Sequence, residues 1–227
     1  MPAVPRTRVS RERVLRAAVD LADMSGIDAV SMRNVAAELG VVPMALYKHV
    51  ADKEDLLSGM IDLLIAEYDP AGTGEPWRDA LRTRILSARS VLSRHQWARA
   101  VIETRRTRTP AVLEYMNDMT GLFLEGGFSA DLTHHAMHAL GHRIWGFSPE
   151  AFEDDDALPV PDDPALRAQM IEQVRAVYPH ILTIALASSD GDDVTAGRCD
   201  EDFEFAFTLD LLLDAFERLR DAGWSSR

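Results

Sequence analysis

Hydrophobic positions recur at three- and four-residue spacing along nearly the whole chain, and no stretch alternates as a half-buried strand would. Val14, Leu15, Ala18 and Leu21 share one side of a helix predicted over about 11 to 24, which Gly26 ends. Val35, Ala36 and Leu39 mark a second, short helix. It opens at Ser31, a good N-cap hydroxyl, and stops at Gly40, where a residue without a Cβ lets the chain turn sharply. A third, from about Val42 to His49, turns Val41 and Leu46 inward and leaves Pro43, Met44, Ala45, Tyr47, Lys48 and His49 on the outer side. Ala36 and Ala37 are small enough to let two helices cross closely at a steep angle. The next helix begins at Asp52, carries Lys53 in its first turn and Leu56, Leu57, Met60, Ile61 and Leu64 as its stripe, and ends near Tyr68. Two helices meeting at a glycine and ending in a basic, hydroxyl-bearing cluster have the form of a helix-turn-helix.

After the turn-rich connector PAGTGEP, helices are predicted at about 76 to 94, 97 to 105, 110 to 125, 129 to 147, 163 to 187 and 201 to 222. The fold class is therefore all-α, with a three-helix head at 1–55 and a larger helical body at 56–227. The last helix places Phe205, Ala206, Leu209, Leu212, Leu213, Phe216 and Leu219 on one face and Phe207, Leu211 and Ala215 on a second strip. A helix apolar on two sides needs two partners. It is either central in a monomeric bundle or shared with another protomer.

Composition narrows the function. The 227 residues are 47% apolar, contain no run of 18 apolar residues and start without the apolar segment of a signal peptide, so a cytoplasmic protein is expected. The single cysteine, Cys199, offers neither a disulfide nor a metal-ligand set. No Ser/His/Asp or Cys/His arrangement, phosphate loop or acid/base pair stands out, and neither an enzyme nor a cofactor is expected. A net charge of −13 predicts repulsion from nucleic acid, but its distribution does not. Residues 1–53 hold eight Lys/Arg against six Asp/Glu, a balance of +2, while the remainder holds 16 against 31. Five arginines, Arg6, Arg8, Arg11, Arg13 and Arg16, fall in the first sixteen residues opposed only by Glu12, and residues 1 to 10 read as a basic arm that either enters a minor groove or is simply solvated.

The string from Ser31 to Leu57 resembles the DNA-binding domain of the tetracycline-repressor (TetR) family in Leu39-Gly40-Val41, in Ala45-Leu46-Tyr47-Lys48-His49-Val50 and in Lys53. EPWRDALR, LEGGFSADL and GHRIWG resemble the C-terminal domain of the tetracycline-repressor subgroup, so the likeness spans most of the chain, more loosely in the body. It implies a homodimer through the helices at 129–147 and 201–222, and two heads about 34 Å apart reading a near-palindromic operator in double-stranded DNA. Carried over by position, it makes Arg33, Pro43, Met44 and Ala45 base readers and Ser31, Tyr47, His49 and Lys53 phosphate contacts, with Lys48 also counted among the DNA-binding residues. Val42, Pro43 and Met44 lack the amide or hydroxyl base readers of the tetracycline repressors themselves, so a different operator is expected.

In the body the resemblance implies a small-effector pocket. Where the tetracycline repressors use a histidine on drug-bound magnesium, two amides and an aromatic, this chain has Ile102, Arg84, Gly121 and Ala88, which makes tetracycline–magnesium a poor ligand. Arg84 and Arg105 can favour an anionic or oxygen-rich effector or lie at the surface, with Trp97, Met119 and Trp145 as apolar contacts. His134, His135, His138 and His142 fall within about 100° of arc on one helix, opposite Met137, Leu140 and Ile144. Their i, i+4 pairs have metal-ligand spacing. A metal site, a pH-sensitive seam between protomers and uncommitted polar residues all remain open for them. The expected function is a transcriptional regulator released from its operator by a small molecule. The alternatives are a helical metal-binding enzyme built on His134, His138 and His142, or a regulator that activates or answers to a protein partner.

Overall fold

A computed structural model describes residues 9–70, 72, 74–104, 108–145, 163–188 and 201–227, without the side chains of 142–145 and 185–188. The described residues form ten α-helices and no strand: α1 (Arg11–Ser25), α2 (Met32–Glu38), α3 (Lys53–Ile65), α4 (Trp77–Arg94), α5 (Trp97–Thr104), α6 (Pro110–Glu125), α7 (Ala130–Trp145), α8 (Pro164–Val177), α9 (Pro179–Ser188) and α10 (Glu201–Asp221). They divide into two compact units, one bounded by residues 1–147 with 209–227 and the other by 148–208. The basic arm at Arg6 and Arg8, Cys199 and most of the two acidic stretches lie outside the described residues.

In the head, α1 packs against α3 through a close approach at Gly59, where a Cβ would lie 2.6 Å from Leu15 Cδ2. Val14, Leu15, Ala17, Ala18, Val19 and Ala22 of α1 are buried with Leu56, Met60, Ile61 and Leu64 of α3, and Leu21 and Leu57 of the predicted stripes are only half-buried. Ala36 is fully buried but Ala37 is exposed, so one small residue, not two, lines the crossing of α2. Gly40 takes φ +65°, the left-handed geometry its position calls for. The segment after it is wound as a 3₁₀ helix, Pro43–Lys48, in place of the predicted α-helix. Its few residues sit between the Gly40 turn and α3, and 3₁₀ winding advances further per residue.

One ionic knot joins the parts of the head. The Arg11 guanidinium, in the first turn of α1, forks onto both Asp55 oxygens at 2.6 and 3.0 Å and also donates to the His49 carbonyl at 2.8 Å. Asp55 accepts the Ala51 N–H at 2.8 Å as well, and Asp52 caps α3 by accepting the Asp55 N–H at 2.8 Å. The Arg11 hydrogen bonds hold the Asp55 carboxyl below its ordinary value, with the Ala51 N–H acting in the same direction against partial burial. Arg11 is thus committed to the fold, and its charge is opposed by Asp55 as well as by nearby Glu12, which itself pairs with Arg16 at 3.0 Å.

In the body, an aromatic cluster fixes α4, α6 and α10. Trp77, Phe123, Phe128 and Phe216 meet edge-on or tilted at 4.7 to 6.1 Å, and Arg220 lies over Trp77 and Phe128 at 5.4 and 5.2 Å. Arg78 pairs with Asp214 at 2.6 Å and Arg82 with Asp210 at 2.8 Å, one turn apart along the α4–α10 contact. On α10 the buried strip is Phe205, Leu209, Leu213 and Phe216, while Ala206, Leu212 and Leu219 are half-buried. The helix predicted over 163 to 187 is two helices. Tyr178 adopts φ −131°, ψ 58°, because the ring of Pro179 excludes the helical conformation from the residue before it.

Asp55→Asn is expected to cost about 1–2 kcal/mol in urea unfolding at pH 7, a range reduced for the partial exposure of both partners. A carboxyl held low in the folded state stabilises above its unfolded value of 3.8 and loses that contribution as pH falls further. The wild-type advantage over Asp55→Asn should therefore shrink below about pH 4. A gap independent of pH would remove the ionic contribution.

Candidate functional site

The outer edge of the head is built on α2 and the 3₁₀ segment. Ser31 caps α2 by accepting the Asn34 N–H at 3.2 Å, and the Asn34 side chain donates to the Ala29 carbonyl at 2.8 Å, which braces the entry to the motif. Arg33 stands exposed in the first turn of α2. Within the 3₁₀ segment Leu46 alone is fully buried, pinned with Val50 into the small core, and the other side chains are directed away. Met44 is 71% exposed, Val42 67% and Tyr47 50%, with Pro43 and Lys48 also exposed and Ala45 and His49 half-buried. Lys53 is exposed as the first residue of α3, beside N–H groups that favour an anion. Nine predicted residues thus lie on α2, the turn and the start of α3. Arg11 and Asp55, 44 residues apart, hold this edge in place and carry no motif signal of their own.

The predicted effector residues separate. Arg84 is not a surface residue: it is 8% exposed on α4, reaches Asp118 at 3.4 Å through one terminal nitrogen, and lies 5.2 Å from the Tyr115 ring centre. Tyr115 of α6, absent from the predicted set, meets Tyr68 edge-on at 5.3 Å. Burial pushes the Tyr115 phenol up to about 12 against the opposing charge of Arg84, and it drives Tyr68 up as well. Met119 is buried one turn along from Tyr115, and Ile102 is half-buried on α5. Trp97 has another use: its indole N–H donates to Asp23 of α1 at 2.6 Å, and Asp23 also contacts His95 Nδ1 at 2.8 Å. A second tie runs from Thr109, which caps α6 and donates its hydroxyl to Asp62 of α3 at 2.5 Å. Arg105 and the side chain of Trp145 lie outside the described residues.

His134, His135 and His138 are exposed on α7, on the side away from buried Leu132, Thr133, Ala136 and Leu140, and the His134 and His138 rings are 4.6 Å apart. Met137 of the predicted apolar face is half-buried. His135 leans on Asp131 at 3.7 Å and on Trp224 at 5.6 Å. The His142 side chain lies outside the described residues, and among those described no three His, Cys, Asp or Glu side chains are grouped to hold a metal ion. No described helix is long and apolar enough to cross a membrane.

Comparison with known proteins follows this geometry. Residues 14–60 match the model for bacterial regulatory proteins of the tetR family, and residues 69–219 match the tetracyclin repressor-like C-terminal domain. The HTH-type transcriptional repressor DrrR1 of Streptomyces coeruleorubidus is 31% identical over 225 residues, covering 95% of this chain and 80% of its own. The class D tetracycline repressor protein of Escherichia coli is 32% identical over 192 residues, covering 82% of each chain. Among solved structures, a possible TetR family transcriptional regulator from Streptomyces coelicolor A3(2) superposes with a TM-score of 0.68 at 26% identity, over 92% of this chain and all of the other. The chain belongs to the TetR family, as a helix-turn-helix transcriptional repressor that binds DNA.

Proposed function

We propose that residues 1–55 read a near-palindromic operator and that residues 56–227 dimerise and bind the effector that releases it. The observation that carries the reading is the 3₁₀ segment, which buries Leu46 and turns Val42, Met44 and Tyr47 outward. A small head gains nothing in water from exposing such side chains together, whereas a major groove offers thymine methyls to Met44, Pro43 and Ala45. Arg33 donates to a guanine edge. Ser31, Tyr47, Lys48, His49 and Lys53 hold phosphates and set the register. Asp55 is already neutralised by Arg11, so the first turn of α3 presents Lys53 to the phosphate with less opposing charge.

Dimerisation uses α7 and α10. Its support is the apolar surface that α10 leaves uncovered: Phe203 and Phe207, 62% and 52% exposed, stack on one another, and Leu211 is exposed one turn further on. The effector acts by binding the form whose heads are wrongly spaced more tightly than the form that fits DNA; equal affinity for both would change nothing. Two contacts give α3 and α1 something to respond to, the Thr109 hydroxyl on Asp62 and the Trp97 indole on Asp23.

Selection of bound sequences from a random duplex library by the full-length protein should enrich a near-palindrome with half-sites one helical turn apart; enrichment of none sinks the reading. On the selected site, Arg33→Ala should cost about 1–3 kcal/mol and relax preference at one base pair. Lys53→Ala should instead weaken all sequences alike and lower the salt slope by about 1. Equal losses on operator and random DNA for Arg33→Ala would assign it to phosphate. Asp23→Ala leaves the Trp97 N–H without its acceptor and should cost about 1–3 kcal/mol of stability, each kcal/mol lowering Tm by about 2–4 °C. It should also change operator affinity well below that Tm; a stability loss with unchanged affinity would make the contact purely structural.

A further inference from the structure

Two buried polar atoms in the body have no hydrogen-bond partner among the described residues, Nε of Arg84 on α4 and the hydroxyl of Tyr115 on α6, and the Arg84 guanidinium carbon lies 5.2 Å from the Tyr115 ring centre. Their chemistry is one-sided. A guanidinium keeps its proton in any protein environment, so Arg84 brings a permanent positive charge and a donor that can never accept. Burial pushes Tyr115 up to about 12, so at neutral pH it is a protonated phenol with a hydrogen to give. Both unmet groups therefore ask for an acceptor. Among the described residues the counter-charge of Arg84 is Asp118, reached at 3.4 Å through a terminal nitrogen and itself more than half exposed, a long contact facing water.

The surroundings restrict what that acceptor belongs to. Ala88 lies one turn beyond Arg84 and Met119 one turn beyond Tyr115, both buried, with Ile85 and Leu81 buried on α4 as well. A bound water can satisfy a donor but brings no charge. A metal chelate brings the wrong one, because a divalent cation beside a buried guanidinium is repelled with little screening.

We propose that the effector is an apolar organic anion whose carboxylate, sulfonate or phenolate oxygen is received by Arg84 Nε and the Tyr115 hydroxyl between α4 and α6. This deepens, and rests on, the reading of the body as an effector-binding domain. The anion displaces Asp118 as the partner of Arg84. It also presses on the ring that meets Tyr68 at 5.3 Å, three residues past the end of α3, so the site is mechanically adjacent to the helix that carries the head.

The test uses two fluorescent probes that differ in charge, 8-anilinonaphthalene-1-sulfonate and uncharged N-phenyl-1-naphthylamine, titrated into the full-length protein without DNA. The sulfonate is expected to bind at least tenfold more tightly. Arg84→Met should abolish the preference, and Tyr115→Phe, which removes one oxygen and keeps the ring, should reduce it several-fold. Equal affinities, binding of neither probe, or a preference that survives Arg84→Met overturns the proposal. Should Arg84→Met lose its helical circular dichroism, Tyr115→Phe decides, and an unchanged preference in that variant overturns it. Operator selection is measured separately. A protein that selects an operator but shows no sulfonate preference loses the anion site and keeps the repressor reading; the opposite result keeps the site and loses the repressor.

Discussion

The head depends on one guanidinium. Arg11 binds a carboxylate in α3 and a carbonyl at the end of the 3₁₀ segment while standing in the first turn of α1, so three separate pieces of backbone are referred to a single side chain. The arrangement is economical because each partner is itself constrained. Asp55 also accepts the Ala51 N–H in the turn, and Asp52 caps the helix on which Asp55 sits. Hydrophobic burial alone would leave the recognition segment poorly fixed, since Leu46 is its one fully buried side chain. A loosely held reader binds DNA at an entropic cost, and a charge-assisted fork reduces that cost beforehand.

The body works by different means. Its helices are held by ring contacts around Phe123 and by the paired arginines of α4 against the acids of α10. Its links to the head include directional hydrogen bonds beside the Tyr68–Tyr115 ring contact. Asp23 receives Trp97 and His95, and Asp62 receives Thr109, each joining a head helix to a body helix by hydrogen bonds that a small displacement can break. A greasy seam would tolerate sliding; directional contacts do not. Such contacts suit the proposed release, in which the two parts are coupled in one state and repositioned in another.

Much of this was legible in the chain, because helical periodicity is a local property and the Ser31 cap and the helix start at Asp52 announce themselves. Where the structure departs from the pattern, the cause is local stereochemistry or tertiary contact. Pro43 reads equally well as the first residue of an α-helix or of a 3₁₀ turn, and only the fit between Gly40 and α3 decides. Pro179 breaks a helix whose apolar period runs on undisturbed through it, so the pattern hides what the ring enforces. In the head, the outward side chains between Pro43 and His49 could be named from spacing, and the remaining expected DNA contacts from the family resemblance. Arg11, Asp55, Asp23 and Tyr115 could not, since their partners are remote in sequence and each looks ordinary by itself.

The stacked rings of Phe203 and Phe207 carry a consequence for how the protein behaves when dilute. In the proposed dimer a second protomer covers them and they count toward stability; outside it their exposed faces meet water at a hydrophobic cost. Folding and self-association then share one free energy, and the melting temperature becomes a function of how many copies are present. A newly synthesised chain without a mate would be the least stable form, so the cell's supply of working repressor would rise faster than its rate of synthesis.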